Sequence, residues 1–90
     1  MNLPDDQLIS EAKSYFSNGD YKNAIRLCNN LLNKNSDNID ALNITAAILL
    51  FSKKFENSIK IYDKLILLSK NFFISSIKLF VFLVHLIDNF

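Results

Sequence analysis

Two seven-residue segments, Gly19-Asp20-Tyr21-Lys22-Asn23-Ala24-Ile25 and Lys53-Lys54-Phe55-Glu56-Asn57-Ser58-Ile59, stand 34 residues apart and keep an aromatic, an Asn and an Ile in register. Self-similarity at a period near 34 is the mark of a helical repeat. Such a unit is one pair of helices that cannot bury its apolar face alone, so it has to stack on its neighbours. The period therefore predicts an all-α stack and, with it, an interaction scaffold in preference to a catalyst.

Composition agrees with helices. Half of the 90 residues are hydrophobic, and the chain holds one Gly and one Pro. That leaves few breakers to punctuate strands and turns, and too much apolar material for a disordered tail. Ten basic residues against nine acidic ones are spread along the chain, so no basic face is available for nucleic acid. Cys28 is the single cysteine. It excludes an internal disulfide and suits a reducing compartment. The amino terminus has no positive region followed by an apolar run, so it does not read as a secretory signal, and a cytoplasmic location is expected.

The local signals place five helices. Pro4 with Asp5 and Asp6 suits the start of a first helix, because a missing N–H costs nothing there and carboxylates favour the positive end of the dipole. Gly19 can end that helix in the left-handed conformation, and Asp20 can cap the next, over about residues 21–32. Asn35-Ser36-Asp37-Asn38 is a cluster of turn and capping residues, after which a third helix runs from Ile39 or Asp40 to about Ser52. A fourth spans about 55–68, and its surplus of Ile59, Ile66, Leu67 and Leu68 predicts a neighbour on a second side. The fifth spans about 72–87. Its polar residues Asn71, Ser75, Lys78, His85 and Asn89 form one narrow stripe interrupted by Phe82, and the other faces are apolar except at Ser76, a pattern expected of a helix enclosed on most sides.

Position by position, both units carry a bulky residue, a small one and a third core residue on the first helix, then a small residue and two more core positions on the second. The first unit supplies Leu8, Ala12, Tyr15, Ala24, Cys28 and Leu31; the second supplies Leu42, Ala46, Leu49, Ser58, Tyr62 and Leu65. Over roughly residues 5–72 the chain resembles the tetratricopeptide repeat family. It departs from that pattern at Glu11 and Thr45, where Leu is usual, at Lys53 in place of the turn glycine, and at Ser36 and Lys70 in place of the closing proline. The resemblance implies an α-solenoid of helical hairpins: unit one about 5–38, unit two about 39–72, and the first helix of a third unit in 73–90. Asp88-Asn89-Phe90 resembles Lys53-Lys54-Phe55 at a spacing of 35, one residue beyond strict period. The second helix of that third unit is then missing, which predicts either a longer protein or an apolar face covered by another molecule.

No catalytic constellation, cofactor loop or metal-ligand set is expected. His85 is the one histidine and sits on the polar stripe, which predicts a solvated role. Cys28 falls at a core position and reads as a small buried hydrophobe. Asp5 with Asp6, and Asp37 with Asp40, are explained as helix-start carboxylates.

Functional content is expected in a groove. The resemblance implies that the first helix of each unit lines a concave surface for peptides. It assigns Asp6, Ile9, Lys13, Phe16 and Ser17 to that surface, then Asp40, Asn43, Ala47, Leu50 and Phe51, with Ile74, Ile77, Val81, Val84 and His85 from the last helix, or their neighbours shifted by one if the extra residue lies within it. Phe16, Leu50 and Phe51 are the expected apolar anchors, and Lys13 and Asn43 the polar contacts. The Lys, Asn and Arg clamp of members that hold chaperone tails is not matched: the candidate places carry Ile9, Lys13, Asn43 and Ile44.

The expected function is noncatalytic binding of a protein or peptide segment. The alternatives are the amino-terminal part of a larger protein with a separate catalytic domain, for example a transferase, or a protein resting on a membrane surface. A span through the bilayer is disfavoured, since about 15 residues at 1.5 Å each reach only ~22 Å against ~30 Å of hydrocarbon. Self-association through helix 72–87 is a further expectation, because that helix is apolar on nearly every side.

Overall fold

The structure, a computed structural model, describes residues 4–69 and 72–89, without the side chains of residues 72 and 73. The expectations that involve Lys70, Asn71 and Phe90 lie outside the described residues. Five helices follow one another: α1 (Asp5–Ser17), α2 (Tyr21–Lys34), α3 (Ile39–Phe51), α4 (Phe55–Ser69) and α5 (Phe72–Asp88). Among the described residues there is no strand. Each helix packs on the next, and α1 also packs on α3. The product is a slab of 48 × 28 × 18 Å.

The two corners that suggested the period are alike in atomic detail. At the end of α1, the N–H of Gly19 donates to the Phe16 carbonyl (3.0 Å) and that of Asp20 to Tyr15 (2.8 Å). At the end of α3, Lys53 donates to Leu50 (3.0 Å) and Lys54 to Leu49 (2.8 Å). Both are Schellman motifs, which use otherwise orphaned carbonyls and require a left-handed residue. Gly19 takes it at φ 77° and Lys53, although not glycine, at φ 61°. Asp20 then caps α2 by accepting from the Asn23 N–H (3.3 Å), and Asn38 caps α3 by accepting from Ala41 (3.0 Å).

Packing repeats as well. Ala12 and Ala24 on the first hairpin and Ala46 and Ser58 on the second are all fully buried. The Ser58 hydroxyl donates to the Ala46 carbonyl at 3.0 Å, which brings a side chain of α4 onto the backbone of α3. Two apolar cores result. One gathers Ala12, Ala24, Leu27, Cys28, Leu31, Ala41, Ile44 and Ile48. The other gathers Leu42, Ala46, Phe55, Tyr62 and Leu65 with Ile74 and Val81 of α5.

Helix α5 differs from expectation in its orientation. Val81 is fully buried, as are Ala12 and Ala46, so the small-residue position advances by 34 and then by 35. The extra residue therefore lies ahead of Val81. Only one side of α5 is enclosed. Ser75, Lys78 and His85 are half-buried, while Leu79, Phe80, Phe82, Leu83, Leu86 and Ile87 are exposed. Ile74 and Val81 enter the second core, and the polar stripe beside them meets α4, where Lys78 pairs with Asp63 and the His85 ring lies 5.4 Å from that of Phe55. The surplus on α4 divides accordingly, Ile59 and Ile66 packing on the second core while Leu67 and Leu68 stay exposed. Among the described residues no helix is long and apolar enough to cross a membrane.

Burial also fixes protons. It pushes the Cys28 thiol above its ordinary 9.0, against a smaller downward pull from the Thr45 hydroxyl, and pushes the Tyr62 phenol above its ordinary 10.0. The folded chain holds both protons more tightly than the unfolded chain. Their contribution to stability is complete below about pH 9 and declines as pH rises through and beyond that value. Thermal melts between pH 8 and 11 should show Tm falling on the alkaline side, with Cys28→Ala shifting the onset toward the tyrosine range.

The corners give a second expectation. Lys53→Gly relieves a left-handed non-glycine residue and should raise stability by about 0.5–1 kcal/mol after the loss of chain entropy is deducted. Gly19→Ala should lower it by about 1 kcal/mol from conformation alone, because nothing lies within 4 Å of the added methyl. Equilibrium urea unfolding of both variants is the measurement.

Candidate functional site: an aromatic strip across the first helices

The Schellman corner of α1 aims the end of that helix and the start of α2 at the same end of the slab as the end of α3. Three rings meet there. Phe16 stacks on Tyr21 with centroids 5.6 Å apart, Tyr21 stacks on Phe51 at 6.4 Å, and Phe16 tilts against Phe51 at 6.0 Å. Phe16 and Tyr21 are half-buried on the first core. Phe51 is 62 % exposed, so its ring is held by two aromatic neighbours while one face remains open. On its other side a groove of about 350 Å³ continues the strip, lined by Leu50, Phe51, Lys53, Phe55, Phe80, Val84 and Asp88. The apolar surface thus runs from α1 over α3 to α5.

Its rims carry charge. Lys13 on α1 lies 3.9 Å from Asp40 on α3, both more than half exposed, so the pair ties the two helices with at most about 1 kcal/mol. Lys53 and Asp88 flank the groove at the α5 end. Such an arrangement offers no nucleophile with a base beside it, and among the described residues no three His, Cys, Asp or Glu side chains converge on a point that could hold a metal ion. What it can do is bury an apolar side chain. Covering the open part of a ring such as Phe51 removes on the order of 100 Å² from water, a gross gain of about 3 kcal/mol.

The expected groove residues fall into three groups. Phe16, Leu50 and Phe51 come together in the strip. Lys13, Asn43 and Ala47 lie on the same two helices, with Lys13 and Asn43 exposed and Ala47 half-buried, whereas Ile9 is packed against the first core. Of the α5 positions, Val84 lines the groove, Ile77 packs against the second core, and Ile74 and Val81 are buried within it. The extra residue ahead of Val81 changes which side of α5 meets α4, and Ile74 and Val81 enter the second core. His85 is likewise not solvated but half-buried on Phe55. Tyr21 and Phe80 were missed. Tyr21 belongs to a second helix, yet it follows the corner by two residues, and a corner that reverses the chain so tightly sets such a residue beside the end of the preceding helix.

The exposures predict how substitutions divide. Phe51→Ala should change stability by less than about 1 kcal/mol, since most of its ring is already in water, while Phe16→Ala should cost about 2 kcal/mol or more through the first core. Equilibrium unfolding of the two variants side by side is the check.

No family model, curated protein or solved structure matches the chain.

Proposed function

We propose that the chain is a noncatalytic module of the tetratricopeptide type, an α-solenoid of two helical hairpins and the first helix of a third, that holds an apolar peptide or protein segment along the strip from Phe16 to Val84. The observation that carries this reading is Phe51: a large ring supported on one side by Phe16 and Tyr21 and left 62 % exposed on the other. A preorganised aromatic next to a groove is the usual anchor for a partner's side chain, and such anchors typically cost ~2 kcal/mol or more when truncated. Support for the repeat comes from the paired corners at Gly19 and Lys53 and from the equivalent burial of Ala12, Ala24, Ala46 and Ser58. The partner's chemistry follows from the strip: an aliphatic or aromatic side chain for Phe51 and the groove, with polar groups spaced to meet Lys13, Asn43 and Lys53 at the rims.

Peptide display against the immobilised chain tests this directly. Wild-type protein should enrich segments with a shared aromatic or aliphatic anchor, and Phe51→Asp, which leaves the cores intact, should lose roughly tenfold or more of that capture. Equal enrichment by the two proteins, or none above bare support, would sink the proposal.

A further inference from the structure

A second surface lies on α5, away from the aromatic strip except at Phe80. Six large apolar side chains, Leu79, Phe80, Phe82, Leu83, Leu86 and Ile87, are between 40 % and 70 % exposed on it. They recur at steps of three and four, so they form one continuous face along about two and a half turns of helix. We propose that this face is an interface between two copies of the chain, with α5 packed antiparallel to α5 of the second copy about a twofold axis near Leu83.

Three observations select a second copy as the occupant. The first is area. Each of the six side chains offers on the order of 100 Å², so the face amounts to roughly 600 Å² per copy and two of them to about 1,200 Å², where stable interfaces begin. Monomers seldom leave a contiguous apolar patch of that size in water. The second is self-complementarity. An isologous interface sets residue i of one copy against residue j of the other, so a charge near the axis meets its own like charge and a charge elsewhere needs an opposite one on the same face. Between Leu79 and Ile87 there is no Asp, Glu, Lys or Arg, and the one histidine turns inward onto Phe55. The third is what the helix lacks for a lipid surface. Amphipathic helices that lie on anionic membranes flank their apolar face with Lys or Arg. Lys78 is the one such residue in α5, and it is paired with Asp63 on α4.

This proposal does not rest on the peptide-binding reading: the two surfaces share Phe80, but the interface uses the outward side of α5 and leaves Phe16, Tyr21 and Phe51 open. Sedimentation velocity of the full chain over a wide concentration series should show a species of twice the 10.3 kDa chain mass. Leu83→Glu should weaken the dimer by roughly tenfold or more, the size of one central anchor, with far-UV circular dichroism unchanged. Should Leu83→Glu unfold, Ile87→Lys provides the same test, since Ile87 is 70 % exposed and contributes little to the core. The axis is tested by Leu83→Cys, which should form a disulfide-linked dimer on mild oxidation while the buried Cys28 does not. A monomer at every concentration, a dimer that survives both charged variants, or a dimer that Leu83→Cys fails to cross-link would overturn the proposal. So would flotation of the monomer with phosphatidylserine vesicles, which would give the face to a membrane.

Discussion

The close approach of paired helices is the constraint on which the rest of the structure depends. A second helix can lie against the backbone of the first only where both carry small residues, and the Ser58 hydroxyl reaching the Ala46 carbonyl at 3.0 Å shows how near α4 comes to α3. At that separation the larger neighbours Leu42, Tyr62 and Leu65 fall into register on either side and seal the contact. The first hairpin does the same with Ala12 and Ala24, and surrounds them with Leu27, Cys28 and Leu31. A small residue contributes little burial itself. Its effect is to let the dispersion contacts of its neighbours form at all.

That approach needs a corner short enough to bring the helices back at once, and the Schellman geometry supplies it. The corner at Lys53 is informative because the residue is wrong for it. A left-handed lysine is sustained at a cost of about 1 kcal/mol or more, so tertiary packing of α3 on α4 overrides the local preference. The surface consequence is as large as the core one. By folding the chain back within a few residues, the first corner sets Phe16 of the incoming helix beside Tyr21 of the outgoing one, while at the second Phe55 turns into the core and Phe51 stays exposed. The Phe16, Tyr21 and Phe51 cluster is thus a by-product of the same geometry that buries Ala24 and Ser58.

Much of this was legible in the sequence, for identifiable reasons. The helix boundaries followed from Pro4, Gly19, Asp20 and Asn38, each of which acts on its own backbone within four residues. The small buried positions followed from the period. The orientation of α5 did not, because it depends on partners that only the fold brings together: Asp63 for Lys78 and Phe55 for His85. A polar stripe on a helical wheel reads as the solvent side unless a neighbouring helix happens to answer it with a carboxylate and a ring. The one-residue excess in the third period was visible at Asp88-Asn89-Phe90, which left two registers open for the last helix, and only the fold decides between them by burying Ile74 and Val81. Tyr21 was hidden for a different reason. Reading each unit by its first helix leaves out any second-helix residue that a tight corner carries around.

The same inversion of α5 links the two surfaces. If Ser75, Lys78 and His85 faced solvent, the apolar side would turn toward α4 and the groove beside Leu50 would lose Phe80 and Val84 as its far wall. Because α4 engages the polar stripe, α5 holds Val84 toward α3 and Phe80 at the boundary between groove and outward face. Phe80 therefore belongs to both surfaces. A molecule packed on the outer side of α5 would cover part of Phe80 and narrow the groove at that end, while the aromatic cluster at Phe16, Tyr21 and Phe51 would remain open. Phe80 is the side chain the two surfaces share directly, and Val84 and Asp88 join the groove to the rest of α5, so any shift of that helix on Ile74 and Val81 would reach the groove.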